Sequence, residues 1–446
     1  MKLRFAPSPT GNLHVGNART LLLNWLYAKK KGAEFVLRFD DTDLERSKDE
    51  YAEQIKKDMA WLGLGYDSVI KQSDRLSLYQ EAAEKLKKSG RLYPCYETKN
   101  ELDFKRKRQL SQGRPPIYDR ASLRLTAEEI AAFEAEGRLP HWRFQLEDVT
   151  ITWHDAAHGE LSFEAKHFSD PILIRENGAP VYTLSGVVDD LDLGITHIVR
   201  GDDHISNTAI QIHLMEALGG RGEDFIFAHL PLLTGADGEG LSKRLGSLGL
   251  KDLKEKNYEP MALINYLGNL GNPEESDMAL TLKDFISSFD LSKFGKSSPK
   301  FSQEDLQRAN GKFLQVVPFD QIESRLNDLG FTKTTKVFWE TIQGNLTLLT
   351  DVKEYENICF SSITPRIEEK DFIEQAKDVL PKEPWDEETW EQWTSTLKTQ
   401  TGRKGKSLFM PLRQALTAED HGPEMKKLLP FIGYQKAMKR LDGQSE

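Results

Sequence analysis

The segment that decides the fold is KLRFAPSPTGNLHVGNARTLLLNWLYAKKKGAEFVLRF, residues 2–39. It begins with a strand-like stretch at 2–5, followed by a loop rich in proline and glycine. Apolar residues then recur on one face from about 17 to 31, which predicts a helix, and Gly32 follows as a stop signal. EFVLRF at 34–39 predicts a second strand. Strand, loop, helix and strand form one βαβ unit, so we expect an α/β fold built on a parallel sheet.

Length and composition limit the class of protein. The 446 residues are too many for one ordinary core, so we expect about three to five domains or subdomains. The formal charge of −10 argues weakly against a protein that coats DNA. No apolar run approaches the roughly 20 residues that span a bilayer, and the N-terminus has no signal-peptide pattern. The two cysteines, Cys95 and Cys359, form no disulfide framework. We therefore expect a reduced, cytoplasmic protein with neither DNA nor a membrane as partner.

The residue pattern changes several times along the chain and suggests five segments. Residues 1–85 carry the first α/β half, and the α/β pattern resumes at 181–235. Between them, 86–180 is charge-rich with strand-like stretches, which indicates an α+β insertion. Residues 236–310 open with a glycine-rich basic loop, DGEGLSKRLGSLGL, and 311–446 show mainly helical periodicity.

The loop after the first strand is suited to phosphate. A strand-to-helix junction presents free backbone N–H groups and the positive end of the helix dipole. Gly11 and Gly16 permit close backbone approach and positive φ. His14 lies just before the helix, where it can donate to a phosphate oxygen. Taken alone, this pattern is more often a tight turn with a surface histidine.

A second loop carries the complementary charge. LSKRLGS, 241–247, places Ser242, Lys243 and Arg244 between glycines. A basic loop can neutralise charge on a transferring polyphosphate, although such a stretch alone is more often a solvated surface loop. Two phosphate-directed loops, one at the start of the first half and one after the second, form a far more specific pair.

Further motifs make the pattern recognisable. RFAPSPTG at 4–11, RFDDTD at 38–43 and the block from Pro180 to His204, with VVDD and HIVRGDDH, accompany the two loops. Together they resemble the class I aminoacyl-tRNA synthetases, whose HIGH and KMSKS signatures match the first loop and GLSKR at 240–244. The particular residues of these motifs resemble those of the glutamyl-tRNA synthetases, and ALTAEDHGP at 415–423 resembles the helical C-terminal end of that family. The resemblance implies a Rossmann-type catalytic domain with an α+β insertion, followed by an all-α anticodon-binding region.

The resemblance implies ATP-dependent ligation of L-glutamate to tRNA(Glu) for protein biosynthesis, through a glutamyl-adenylate and with Mg²⁺ accompanying ATP. It also implies a monomer. A nondiscriminating enzyme that also glutamylates tRNA(Gln) stays open as an alternative. A catalytically inactive tRNA-binding paralogue is supported only by Gly240, which replaces the first lysine of the KMSKS loop. A truncated paralogue that modifies a tRNA base is opposed by the long chain after Lys243.

The family's signature positions suggest roles for individual residues. His14, Gly16 and Lys243 match the positions that act on the ATP phosphates, where Lys243 would stabilise the transition state and the leaving pyrophosphate. The expected ATP contacts are Thr10, Gly11, His14, Gly16, Asn17, Ser242, Lys243 and Arg244.

The glutamate contacts follow from the same resemblance. Arg4 and Arg200 match the amino-acid-contacting arginines, and a guanidinium pairs with a carboxylate in a fork. The side-chain amide of glutamine would place its N–H groups against the N–H groups of the guanidinium, so glutamine would be rejected. Ser8, Asp40 and Tyr182 match the other contacts, with Asp40 suited to the α-ammonium group.

Two metal interpretations arise from the residues. Asp189, Asp190, Asp192, Asp202 and Asp203 invite a two-metal site, but we favour a cap-and-turn cluster that shapes the second half of the fold. Some relatives of the family carry a zinc site of four cysteine or histidine ligands in the insertion. Here that region reads Cys-Tyr-Glu at 95–97 with no cysteine around 118–120, so we expect no zinc.

The parts of the chain outside the catalytic halves are expected to contact tRNA. The resemblance assigns the acceptor end to the insertion, the stem to 236–310 and the anticodon to the C-terminal helices. Residues 391–446 include ten lysines and arginines but only six acidic residues, so this end of the chain is locally basic. Lys398, Arg403, Lys404 and Lys406 form a basic stretch fit for phosphates, for which a solvated loop is an equally good interpretation.

Overall fold

The computed structural model describes residues 1–235, 237–238, 248–274 and 276–445. Ser242, Lys243, Arg244 and Gly240 therefore lie outside the described residues. The chain forms two compact units. The first comprises Met1–Leu253 and Leu267–Ser302, and the second comprises Lys254–Tyr266 and Gln303–Glu446.

In the described parts of the chain, the first unit contains ten strands in two sheets. The strands are β1 Lys2–Phe5, β2 Glu34–Phe39, β3 Ser68–Lys71, β4 Leu92–Cys95, β5 His141–Phe144, β6 Thr150–Asp155, β7 Gly159–Glu164, β8 Ile172–Ile174, β9 His197–Gly201 and β10 Ile226–Leu230. The main sheet has the order β3-β2-β1-β9-β10-β6-β7. All its neighbours are parallel except β6 and β7, which form a hairpin. A separate antiparallel sheet has the order β4-β5-β8.

Helices connect the strands. They are α1 Val15–Lys30, α2 Asp49–Trp61, α3 Leu76–Lys88, α4 Lys99–Ser111, α5 Ala127–Ala135, α6 Tyr182–Asp192, α7 Ile205–Ala217, α8 Leu250–Glu255, α9 Pro260–Asn269 and α10 Leu282–Ser288. β1, α1 and β2 are the predicted βαβ unit, with Arg4 paired to Val36 in the parallel register. The apolar face of α1 is fully buried at Leu21 and Leu23, which fixes the helix on the sheet.

The segment 86–180, predicted as an insertion, contributes to both sheets. β4, β5 and β8 make the small sheet, whereas β6 and β7 extend the main sheet beyond β10. Inward-facing residues alternate along β6, and Trp153 stacks on Phe163 with ring centroids 5.4 Å apart. Trp153 also faces Phe227 of β10 edge to face. These aromatic contacts bury the hairpin on the main sheet.

In its described residues, the second unit contains helices and no strand. After the N-terminal part of α9 come α11 Gln303–Val316, α12 Phe319–Asp328, α13 Lys336–Ile342, α14 Val352–Phe360, α15 Lys370–Asp378, α16 Glu387–Thr401, α17 Lys406–Thr417, α18 Met425–Ile432 and α19 Tyr434–Leu441. Trp339 and Trp393 are fully buried. Their indole N–H groups donate to backbone carbonyls of Val317 and Ala376. Across the described residues, none of the helices is long and apolar enough to span a bilayer.

Candidate active site

A cavity of about 410 Å³ lies at the carboxyl ends of β1 and β9. These strands are neighbours in the sheet, and the chain order reverses between them. In open α/β sheets this switch point is where ligands bind. Seven of the residues predicted from the sequence line the cavity together, namely Arg4, Ser8, Thr10, Asn17, Asp40, Tyr182 and Arg200. The structure thus brings together all five predicted glutamate contacts.

The wall of the cavity contains a network of buried charges. Arg4 donates from Nε and Nη2 to the carboxylate of Asp190, at 3.0 and 3.3 Å. Arg38 donates from Nη1 to the same carboxylate at 2.7 Å and from Nε to Asp40 at 2.7 Å. Burial raises the pKa of Asp190, but the Arg4 and Arg38 guanidiniums outweigh it and hold that pKa below its ordinary value. Burial raises the pKa of Asp40, and Arg38 only partly offsets this. Arg4 and Arg38 are thus neutralised within the wall.

A second layer of polar contacts supports this network from behind. Asp189, which is fully buried, accepts hydrogen bonds from Gln72 at 2.9 Å, Arg75 at 2.7 Å and Tyr79 at 3.0 Å. Burial and the neighbouring Asp189 raise the pKa of Tyr79, which keeps its hydroxyl protonated as a donor. Asp189 also lies 3.7 Å from Arg38 Nε, so this layer supports one of the arginines of the cavity.

The acidic residues of this region are ion-pair partners. Asp189, Asp190 and Asp192 lie on the last turns of α6, and each is paired with an arginine. The cap-and-turn interpretation is therefore wrong for these three, because they neutralise buried cations. Among the described residues, no group of three or more His, Cys, Asp or Glu side chains is arranged to hold a metal ion.

Arg200 differs from the other arginines of the cavity. Its Nη2 donates to Thr208 Oγ1 at 2.5 Å and to Gln211 Oε1 at 2.6 Å, and its Nε approaches His229 Nε2 at 3.4 Å. Within the described part of the chain it has no carboxylate at ion-pair distance, and its Nη1 makes no hydrogen bond. Burial, and then the positive charge of Arg4, lower the pKa of Arg200 to about 10, so it is still a cation at neutral pH. It is a charge without a counterion, in a cavity wall.

His14 caps helix α1. Its Nδ1 accepts hydrogen bonds from the backbone N–H groups of Gly16 at 3.1 Å and Asn17 at 3.4 Å. Burial lowers the pKa of His14, so the ring is neutral at physiological pH. Because Nδ1 is an acceptor, the single ring proton lies on Nε2, which is then a donor. The geometry therefore provides the donor that the sequence predicts at this position.

The backbone of the first loop differs from the sequence prediction. The N–H groups at the start of α1 are already bonded, with Val15 N–H donating to Leu248 O at 3.3 Å and Ala18 N–H donating to His14 O at 2.9 Å. Neither Gly11 nor Gly16 has positive φ. A Cβ at Gly16 would lie 3.0 Å from His14 Cε1, so a larger residue there requires the capping ring to shift by a few tenths of an ångström. His14, Gly11 and Gly16 are not among the residues that line the cavity.

The residues that follow the basic loop bond to the end of the first loop. Leu248 and Gly249 are the first described residues after 239–247. Leu248 O accepts from Val15 N–H, and Leu250 N–H donates to Leu13 O at 2.9 Å. His14 and Gly249 thereby form an antiparallel bridge. The chain that leaves the basic loop is consequently bonded to the backbone on both sides of His14.

Two central residues of the cavity were not among the predicted contacts. Arg38 and Asp190 form the central ion pair of the wall, yet Arg38 was quoted only as part of a motif and Asp190 was named only as a member of an acidic cluster. A signal for them was present, because Arg38 interrupts the apolar strand EFVLRF and a buried charge needs a partner. The sequence alone does not show which of the many acidic residues supplies that partner.

The region compared with a zinc site contains a hydrogen-bonded cluster. Cys95 is fully buried, and burial raises the pKa of its thiol. Glu97 accepts from the hydroxyl groups of Tyr118 at 2.9 Å and Ser122 at 2.7 Å. Its carboxylate is therefore bonded to side-chain hydroxyl groups of the same small sheet region.

Comparison with known proteins identifies the family of the chain. Residues 1–308 match the family model for the catalytic domain of class I tRNA synthetases (E and Q), and 321–444 match an anticodon binding domain. A glutamate–tRNA ligase of Azospirillum brasilense is 50% identical, covering 99% of this chain and 98% of its own. Glutamate–tRNA ligase 2 of Gluconobacter oxydans is 48% identical, covering 99% of both chains.

Solved structures agree with this assignment. A crystal structure of a glutamate tRNA ligase from Elizabethkingia meningosepticum, in complex with its amino acid, matches with a TM-score of 0.86 at 26% identity, over 99% of this chain and 98% of that one. The glutamate–tRNA synthetase of Elizabethkingia anophelis matches with a TM-score of 0.84 at 26% identity, over 99% of both chains. With a Rossmann-type parallel sheet, a charged cavity at its switch point and a helical C-terminal unit, the chain belongs to the glutamate–tRNA ligases of the class I tRNA synthetases.

Proposed function

We propose that this protein ligates L-glutamate to tRNA(Glu) for protein biosynthesis, first forming glutamyl-adenylate from glutamate and ATP and then transferring the glutamyl group to the terminal adenosine of the tRNA. The observation that carries the proposal is Arg200, a cation in the cavity at the switch point of the sheet that has no carboxylate at ion-pair distance among the described residues. The ligase activity of the relatives that match the whole chain supports the same reaction.

The charge balance of the cavity favours an acidic side chain. Its non-exposed charged residues are three arginines, Arg4, Arg38 and Arg200, and two aspartates, Asp40 and Asp190, while Asp203 is an exposed carboxylate of the same lining. The α-ammonium and α-carboxylate of an amino acid cancel, so the excess of positive charge among the non-exposed residues matches one side-chain carboxylate. Arg200 Nη1 supplies N–H donors to it. Glutamine would present its amide N–H groups to these donors and is therefore bound less well.

The first loop is the proposed ATP site. The N–H groups of Gly11, Asn12 and Leu13 make no hydrogen bond to the described residues, and His14 Nε2–H is a further donor. Thr10, Gly16 and Asn17 complete this part of the site, and α1 has no acidic residue in its first turn to repel phosphate. ATP supplies the activating adenylyl group, and Mg²⁺ binds through its phosphate oxygens and water.

The basic loop completes the phosphate site in this proposal. Ser242, Lys243 and Arg244 would neutralise the charge of the transition state and of the leaving pyrophosphate. Support comes from the bonded backbone of Leu13 to Val15 and Leu248 to Leu250, which brings the end of that loop to His14. Removal of one charge-assisted contact of this kind typically lowers the rate by about 10² to 10³.

Two surfaces of the chain are proposed to bind tRNA. Helix α4 in the insertion has no buried residue, and it exposes Phe104 at 69% beside its basic run at 105–108. This suits phosphates and an unstacked base of the acceptor end. In the second unit, Lys404 and Lys406 are exposed near Phe409, which is 44% exposed, and we assign these residues to the anticodon end. Residues 236–310 would contact the stem, and the enzyme would act as a monomer.

Aminoacylation with purified tRNA(Glu) and tRNA(Gln), each tested with glutamate and with glutamine, examines the proposal directly. We expect glutamate to be joined to tRNA(Glu), with glutamine a poor substrate on either tRNA. Glutamylation of tRNA(Gln) as well would identify a nondiscriminating enzyme. Absence of any charged tRNA(Glu) under conditions where a relative is active would refute the proposal. ATP–pyrophosphate exchange with and without tRNA reports the first step separately.

A further inference from the structure

A series of buried, hydrogen-bonded polar side chains connects β6, through β10, to Arg200 on β9. Asp155 ends β6, His229 lies on the neighbouring β10, and Arg200 lies on β9, directly opposite His229 in the parallel register. Thr208 of α7 is within hydrogen-bond distance of both Arg200 and His229. Asp155, His229 and Thr208 are fully buried. None of these three belongs to the residues predicted to contact substrate.

The hydrogen bonds of Asp155 set the direction of the chain. Its Oδ1 accepts from three backbone N–H groups, those of Ala157 and His158 at 3.0 Å and of His229 at 3.2 Å. Its Oδ2 lies 2.5 Å from His229 Nδ1. Although burial opposes ionisation, the hydrogen bond from His229 holds the pKa of Asp155 below its ordinary value. Asp155 is therefore an acceptor at both oxygens, and His229 Nδ1 carries a proton.

The tautomer of His229 then follows. Burial lowers the pKa of His229, so the ring is neutral and its Nε2 has a free electron pair. This acceptor faces Thr208 Oγ1 at 2.8 Å and Arg200 Nε at 3.4 Å. Thr208 Oγ1 in turn accepts from Arg200 Nη2. Two nitrogens of the guanidinium are thereby held by acceptors, and Nη1 is left for a ligand.

We infer that Asp155, His229 and Thr208 are positioning residues that fix the orientation of Arg200, so that its Nη1 edge faces the side-chain carboxylate of glutamate. The inference rests on the proposed function of Arg200 as the contact to that carboxylate. The physical reason is that a fixed donor binds a carboxylate more tightly than one that must be ordered on binding.

Asp155→Asn is a sharp test because its outcome depends on a single proton. The three backbone N–H groups require the amide oxygen in the place of Oδ1, so the amide NH₂ replaces Oδ2 and faces His229 Nδ1. His229 Nδ1 must then accept, and the ring proton moves to Nε2. His229 Nε2–H and Arg200 Nε–H are then two donors that face each other. Arg200 Nε therefore loses His229 Nε2 as its hydrogen-bond acceptor.

The experiment measures the KM for glutamate, the KM for ATP and kcat in aminoacylation. For Asp155→Asn and Thr208→Val we expect KM for glutamate to rise roughly tenfold or more, with KM for ATP changed less than about threefold. Thr208→Ser keeps the hydroxyl group and should restore most of the glutamate affinity. Asp170→Asn is the matched control, because Asp170 is a buried, hydrogen-bonded carboxylate with no contact to Arg200. It should leave the KM for glutamate near that of the parent protein.

A spectroscopic measurement follows the proton itself. In protein labelled with ¹⁵N-histidine, the His229 resonances, assigned with His229→Gln, should show the proton on Nδ1 in the parent and on Nε2 in Asp155→Asn. An unchanged tautomer in a folded Asp155→Asn protein would contradict the inferred direction of the chain.

Arg200→Gln separates this inference from the proposed function. If Arg200→Gln leaves the KM for glutamate unchanged, the proposed role of Arg200 fails. If Arg200→Gln raises that KM but Asp155→Asn and Thr208→Val do not, only the positioning inference is overturned. A purely structural role would raise both KM values alike, with Thr208→Ser no better than Thr208→Val, and this result would also overturn it.

Discussion

Asp190 accepts hydrogen bonds from both Arg4 and Arg38, and all three side chains are buried. At the scale of single residues, the cavity depends on this kind of sharing. A buried guanidinium is costly unless a carboxylate lies against it, and one carboxylate serves two here. The sharing leaves Arg200 as the cation whose charge is still available to a substrate.

Removal of this carboxylate should destabilise the protein strongly. Asp190→Asn removes the carboxylate partner of the buried Arg4 and one of the partners of Arg38, which keeps Asp40, and breaking such a buried pair typically costs about 3–5 kcal/mol of unfolding free energy. Asp192→Asn is the matched control on the same helix, because the Asp192 side chain is 51% exposed and its loss should matter far less. Urea denaturation of both variants measures the difference. Equal and small losses would show that Asp190 does not hold the cavity wall together.

The element that presents the phosphate site is helix α1 with the loop before it. The loop follows strand β1 and therefore begins at the switch point of the sheet. His14 caps the helix, and the residues after the basic loop bond to the backbone on both sides of His14. The strand, the helix and the presence of His14 at the helix start could be predicted from the sequence. The bonds of Val15 and Leu250 could not, because they join segments more than 230 residues apart and local pattern carries no information about such pairs.

Gly16→Ala tests the cap. The new Cβ would lie 3.0 Å from the His14 ring, so the ring must shift within its capping position. We expect a loss of about 1 kcal/mol in stability and a fall in the ATP–pyrophosphate exchange rate of roughly tenfold or more. Gly65→Ala is the control, since a Cβ there meets nothing within 4 Å. An exchange rate for Gly16→Ala equal to that of Gly65→Ala would mean that His14 needs no fixed position.

At the level of the folded units, the sequence indicated the α/β catalytic part and the helical C-terminal part, because motif and periodicity are local features. The placement of β6 and β7 in the main sheet was outside its reach. Asp155 of β6 pairs with Phe227 of β10, 72 positions along the chain, and the contacts that stabilise this pairing, such as Trp153 on Phe227, also join residues far apart in sequence. Asp155, on the first strand of this hairpin, is thereby placed against His229, which contacts Arg200.

The first unit should also respond to acid through buried histidine. His141 of β5 is 4% exposed, and burial, with Arg143 adding to it, lowers its pKa to about 4. Below the ordinary pKa of about 6.5, the unfolded chain takes up a proton that the folded chain resists. This contribution to stability is therefore complete above pH 6.5 and is lost as the pH falls toward 4.

His141→Phe removes this proton-linked loss. Between pH 7 and pH 4.5 the parent protein should lose about 2–3 kcal/mol more unfolding free energy than the variant, as measured by urea denaturation at both values. Identical losses in the two proteins would indicate that His141 titrates normally in the fold.

In the proposed function, the first loop and the arginine cavity bind one molecule between them. The most direct measurement is a crystal structure of the protein with a non-hydrolysable glutamyl-adenylate analogue. We expect the glutamyl carboxylate within hydrogen-bond distance of Arg200 Nη1 and the adenylate linkage beside the loop that ends at His14. An analogue whose carboxylate points away from Arg200, or whose adenylate lies away from that loop, would contradict the account.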